Sequence, residues 1–125
     1  MVTRSTIAII DDDDLVRTSL SSLLRAYDYS VHLYESAEAL LASDMIPLLD
    51  CLVSDIQMPG MSGLHMYQRL LRDGHTIPVI FITASAAQAP RLTAAELGAR
   101  CYLSKPFDGE HLIACLEVAL KLDRP

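Results

Sequence analysis

The chain has 125 residues, 51% hydrophobic and 21% charged, with 10 Lys+Arg against 16 Asp+Glu and a formal net charge of −6. This composition fits one globular domain over residues 1–125 and excludes a disordered chain. The acidic balance argues against a nucleic-acid binder, which needs a basic face to displace counterions, and against docking on an anionic membrane.

The first six residues, Met1 to Thr6, lack the apolar stretch of a signal peptide. No run approaches the ~20 apolar residues of a membrane span. Thr6-Ile7-Ala8-Ile9-Ile10 is a short β-branched run ended by four aspartates. Such a run suits a strand buried on both faces of a parallel sheet. Val16, Leu20, Leu23, Leu24 and Tyr27 then fall on one helical face, with Asp13 or Asp14 available as its cap. Tyr29 to Tyr34 alternates, as a half-exposed edge strand does. Ser36 caps a predicted short helix through Leu41.

Cys51-Leu52-Val53-Ser54 is a second buried strand, followed by Asp55. Ser62 caps a helix carrying Leu64, Tyr67, Leu70 and Leu71, which stops near Gly74. Val79 to Thr83 is a third continuous run, and Arg100 to Ser104 is a weaker one. A helix from about Ala89 to Leu97 ends at Gly98, a usual terminator. Asp108 caps a last helix with Leu112, Ile113, Leu116, Ala119 and Leu120 inward. Strand and helix thus alternate five times, which predicts a doubly wound α/β domain with a parallel sheet. Cys51, Cys101 and Cys115 are odd in number and lack C-x-x-C spacing. They read as packed thiols in a reducing compartment, so a cytoplasmic location is expected. The methionines read as core or loop filling, and the four histidines as surface residues.

In open parallel sheets, chemistry collects at the carboxyl ends of the strands. Here those ends carry Asp11 and Asp12, Asp55, Thr83, and Lys105 just past the last strand. Neighbouring carboxylates repel, so a cation must offset them. Oxygen ligands without His or Cys select a hard ion, Mg²⁺ or Mn²⁺. Lys105 adds a point charge suited to phosphate, and Thr83 a hydroxyl. Asp55 remains as a nucleophile able to accept a phosphoryl group.

Four strings carry a resemblance. Ile9-Ile10-Asp11-Asp12-Asp13, Ser54-Asp55-Ile56-Gln57-Met58-Pro59-Gly60-Met61-Ser62-Gly63, Ile82-Thr83-Ala84 and Ser104-Lys105-Pro106-Phe107 resemble the receiver domain of two-component response regulators. The likeness runs from about Thr6 to Lys121. Ser36-Ala37-Glu38-Ala39-Leu40-Leu41 is most similar to the FixJ-type branch.

The resemblance implies a flavodoxin- and CheY-like (βα)5 fold with strand order 2-1-3-4-5. It implies Asp55 as phosphoacceptor, Asp12 as direct ligand of Mg²⁺, Asp11 as a ligand chiefly through water, and the Gln57 backbone carbonyl as a third protein ligand. Thr83 and Lys105 correspond to the residues that contact the phosphoryl group, and Tyr102 to an aromatic that changes rotamer on activation. Lys105-Pro106 is expected to be cis, a geometry that only an X-Pro bond adopts at little cost.

Implied partners are a sensor histidine kinase and small-molecule phosphodonors. A phosphorylation-promoted homodimer through the fourth helix and fifth strand is also implied, with a monomer at rest. FixJ-type receivers usually precede a helix-turn-helix effector, so a transcriptional output beyond Pro125 is expected. A stand-alone receiver or one inside a hybrid kinase is the alternative. Gln57 and Ser85, neutral and of moderate size, flank the path of the hydrolytic water and suggest an intermediate phosphoryl lifetime.

Rival readings lack parts. A haloacid-dehalogenase-type phosphatase needs a second Asp two residues after the nucleophile, where Gln57 stands, so turnover of an external substrate is not expected. A receiver-like module that never carries phosphate usually loses an acid, the acceptor or the lysine, and all are present. A flavin-binding domain needs a Ser/Thr/Gly-rich loop after the first strand, and aspartates stand there.

Overall fold

Residues 4–84 and 88–122 are described by a computed structural model. Five strands, β1 (Thr6–Ile10), β2 (Ser30–Tyr34), β3 (Cys51–Asp55), β4 (Val79–Thr83) and β5 (Cys101–Ser104), pair in parallel in the order β2-β1-β3-β4-β5. Between and after them lie α1 (Asp14–Ala26), α2 (Ala37–Leu41), α3 (Gly63–Arg72), α4 (Gln88–Glu96) and α5 (Gly109–Leu122). This is the doubly wound α/β class with the expected strand order.

The continuous apolar runs are explained by the two cores. Ile7 and Ile9 of β1 join Val53, Ile80 and Ile82 against α1 and α5. Ala8 and Ile10 join Leu52, Val79 and Phe81 against α2 and α3. Because alternate residues face opposite layers, a strand covered on both sides must be apolar throughout. Edge strand β2 shows the other case, with Val31 buried and Leu33 exposed. On α5, Leu112, Ile113, Leu116, Ala119 and Leu120 are all buried, as the helical spacing predicts.

Side-chain caps fix the helix starts. Asp13 accepts from the Leu15 and Val16 amides, Ser36 from Ala39, and Ser62 from His65. Each cap of this kind contributes about 1 kcal/mol. Gly74 and Gly98 follow α3 and α4 at φ +88°, a conformation that carries no Cβ penalty in glycine.

Two expectations need correction, and one element is additional. Tyr27 is not on the inward face of α1; it is the C-cap residue and half exposed, because the helix ends one residue before it. A 3₁₀ turn at Ile46–Leu48, with Pro47 in its first positions, precedes β3 and was not anticipated. Cys101 and Cys115 are not separate packed thiols but are joined as a disulfide between β5 and α5. The sheet topology brings these two residues together, which their sequence spacing does not reveal. Ser85 lies outside the described residues. Among the described residues, no helix is long and apolar enough to cross a membrane.

Candidate functional site

Four parallel strands deliver their carboxyl ends to one edge of the sheet. Asp11 follows β1 and is fully buried, and Asp55 ends β3 at 7% exposed. Asp12 is exposed beside them. One carboxylate oxygen from each of the three lies within 4.8 Å of the others. From the far side of the pocket, Lys105 Nζ reaches Asp11 Oδ2 at 3.2 Å and Asp55 Oδ2 at 3.4 Å.

Local structure holds each acid in place. The Asp11 amide donates to the Tyr34 carbonyl of the neighbouring strand, and Asp11 Oδ1 accepts from the Asp13 amide at 2.9 Å. Arg17, one turn into α1, donates from Nη1 to the Asp11 carbonyl at 2.5 Å and also pairs with Asp14. Asp55 Oδ1 accepts from the Gln57 amide at 3.2 Å, and the Asp55 carbonyl accepts from Ser54 Oγ at 2.9 Å.

Gly63 closes the loop behind Asp55. Its amide donates to the Ile56 carbonyl at 2.8 Å. A Cβ at Gly63 would lie 2.2 Å from the Asp55 carbonyl oxygen, so only glycine fits there. Farther along the same loop, Glu38 Oε2 on α2 accepts from the Met61 amide at 3.1 Å.

Electrostatics follow from this crowding. Burial pushes the Asp55 carboxyl above its ordinary 3.8, and the Asp11 carboxylate adds to the rise; Lys105 and the Gln57 amide pull the other way. Burial alone would lower Lys105, but Asp55 and Asp11 more than offset it and hold its ammonium above 10.5.

Thr83 is buried at the end of β4, opposite Ser104, and its carbonyl accepts from the Lys105 amide at 2.7 Å. The Lys105-Pro106 peptide is cis, as expected. Tyr102 sits on β5 opposite Phe81 and packs, partly buried, against the α2/α3-side core. The Gln57 side chain is exposed at the rim.

The structure therefore brings Asp11, Asp12, Asp55 and Lys105 into one pocket, with Thr83 one strand away from Asp55 and Tyr102 set back along β5. Sequence reasoning missed the Arg17 clamp and the close approach of Gly63. A glycine directly after the Ser62 cap was the available signal for the second. Three carboxylate oxygens at this separation form a donor set suited to a hard divalent cation.

A doubly wound sheet with an acid cluster and a lysine on its carboxyl edge defines the receiver class of signalling domain. The sequence profile of the response regulator receiver domain matches residues 7–117, and the chain belongs to that family. It is 35% identical over 127 residues to the transcriptional regulatory protein FixJ of Bradyrhizobium diazoefficiens, covering 100% of this chain and 61% of that protein. It is 38% identical over 118 residues to the response regulator protein TodT of Pseudomonas putida, covering 94% of this chain and 52% of that one. The chain thus spans little more than half the length of these curated relatives. The crystal structure of FixJ-N superposes with a TM-score of 0.88 at 32% identity, covering 99% of each chain.

Proposed function

We propose that this chain is a phosphorylation-operated switch in two-component signalling, with Asp55 as the phosphoacceptor. The observation that carries this reading is the placement of the Asp55 carboxylate. It is buried, within 4.8 Å of two further carboxylates and 3.4 Å from an ammonium.

The Asp55 carboxylate oxygen attacks phosphorus of a kinase phosphohistidine or a small acyl phosphate, and the bond to the donor nitrogen or oxygen breaks. Lys105 then exchanges its carboxylate contacts for a phosphoryl oxygen, and Thr83 offers its hydroxyl to another. Asp12 directly, Asp11 chiefly through water, Asp55 and the Gln57 carbonyl are the residues that would hold Mg²⁺. When bound, the ion offsets the charge gathered on acceptor and phosphoryl oxygens. Because the Lys105 amide bonds the Thr83 carbonyl, movement at either residue is felt along β5, where Tyr102 stands.

A cleft of about 380 Å³ opens beside Lys105 between α1 and the loop after β5, lined by Leu15, Val16, Leu23, Pro106 and Phe107. Leu15 is 78% exposed there. An apolar cleft next to the acceptor supports docking of the histidine kinase at this face. The output surface is α4, β5 and α5, and phosphorylation favours a homodimer through α4 and β5. Residues 1–125 act as the receiver unit of a cytoplasmic regulator whose effector, a helix-turn-helix domain, controls transcription. The transcriptional relatives support that output.

The test is incubation with acetyl phosphate and Mg²⁺. One phosphoryl group is expected, labile to hydroxylamine and absent in Asp55→Asn. Undiminished labelling of that variant would overturn the assignment.

A further inference from the structure

A second reactive site lies away from the acid pocket. Cys101 opens β5 and Cys115 lies on the inner face of α5; the structure joins them as a disulfide, with Cα atoms 6.3 Å apart. That separation lets the bond form without moving the backbone. Cys115 is buried in the α1/α5-side core, whereas Cys101 is only partly buried against it. Cys101 is therefore the more accessible of the two residues. Cys51, on β3, lies outside the pair.

The position gives the bond a consequence. Cys101 immediately precedes Tyr102, and β5 leads directly into Lys105. On its other side α5 packs its apolar face into the core shared with β3 and β4. A covalent link from the first residue of β5 to the middle of α5 removes freedom of the strand against the helix. No C-x-x-C motif or metal-ligand cluster uses either cysteine among the described residues. In a reducing compartment such a bond forms only under oxidative load and is then reversed.

We propose that Cys101 and Cys115 form a reversible two-electron redox site whose substrate is a hydroperoxide, and that its oxidation restrains the β5–α5 face. The Cys101 thiolate attacks the peroxide oxygen, the O–O bond breaks, and water or an alcohol leaves with the proton. The resulting sulfenic acid is attacked by Cys115; the S–S bond forms, the S–O bond breaks, and water leaves. Two thiols are oxidised by two electrons and one peroxide is reduced. A dithiol reductant reverses the step by exchange. The coupling to output rests on the proposed switch function; the thiol chemistry does not.

The experiment uses the 125-residue chain, reduced, exposed to hydrogen peroxide, then denatured and alkylated for intact mass measurement. The reduced protein takes three alkyl groups, one per cysteine in the sequence. The peroxide-treated protein takes one, has lost two hydrogens and gained no oxygen, and peptide mapping joins Cys101 to Cys115. In Cys115→Ser, Cys101 instead accumulates oxygen. Three alkyl groups after treatment, or equal oxygen gain at Cys101 in both proteins, would overturn the site.

A second measurement compares amide shifts on adding beryllofluoride and Mg²⁺ to the reduced and oxidised forms. Shifts near Asp55 are expected in both, with those along β5 and α5 reduced at least twofold in the oxidised form. Equal β5–α5 shifts would refute the restraint while leaving the redox site standing. Absence of any shift near Asp55 in either form would count against the acceptor reading and the restraint together, and the alkylation result would stand by itself.

Discussion

Asp55→Asn keeps the shape of the side chain and removes its charge, and it is expected to make the metal-free protein more stable. At an effective dielectric of about 20, a carboxylate within 4.8 Å of Asp55 costs at least about 3.5 kcal/mol, and an ammonium at 3.4 Å returns about 5 kcal/mol. Repulsion from Asp12 is mostly screened because that residue is exposed. The pair interactions therefore cancel to within about 2 kcal/mol, and desolvation of a carboxylate that is only 7% exposed, worth several kcal/mol, decides the sign. A net gain of about 2 kcal/mol at neutral pH follows, or about 8 °C in Tm for a chain of this length.

The pH dependence is specific. The Asp55 pKa is raised on folding, so the native state is penalised most fully above the folded pKa. The penalty is relieved as pH falls through that value toward the ordinary 3.8. Urea unfolding in a chelator at low ionic strength, at neutral pH and again near the lower value, measures both halves. A variant less stable than wild type at neutral pH, or a gap that does not narrow on acidification, would refute the reasoning.

Asp12→Ala is expected to lose Mg²⁺ binding and phosphorylation together, with Asp11→Ala losing less of each; titration of Mg²⁺ against acetyl-phosphate labelling checks the order. Thr83→Ala is expected to accept phosphate to the wild-type level yet to transmit less, read as smaller beryllofluoride-induced amide shifts at Tyr102; equal shifts would remove the hydroxyl from the coupling. Gly63→Ala forces a Cβ to 2.2 Å from the Asp55 carbonyl oxygen and is expected to cost about 3 kcal/mol in a denaturant titration, with weaker phosphorylation of the surviving fold. Sedimentation with and without beryllofluoride is expected to show a monomer at rest and a dimer when activated; a monomer in both states would remove self-association as the output.

The strands were legible because burial on both faces leaves a continuous apolar run, as at Ile7 to Ile10 and Val79 to Ile82. The helix starts at Asp13, Ser36 and Ser62 were legible because a cap needs a short polar side chain at a fixed place. The acids and Lys105 could be placed in one pocket because parallel strands share a carboxyl edge. Contacts that depend on three-dimensional approach were not legible. The spacing of Cys101 and Cys115 says nothing until β5 is laid against α5. The same holds for Arg17, whose reach back to the Asp11 carbonyl is a property of where α1 begins.

The span of the Lys105–Asp11 contact has a consequence for how the protein comes off the ribosome. The two residues are 94 positions apart, and Lys105 follows the last strand to be synthesised. Until Lys105 is in place, the clustered Asp11, Asp12 and Asp55 carboxylates lack the ammonium that offsets them. Docking of the final strand brings the Lys105 ammonium to both buried acids in one event. Completion of the acid pocket is thereby tied to completion of the sheet.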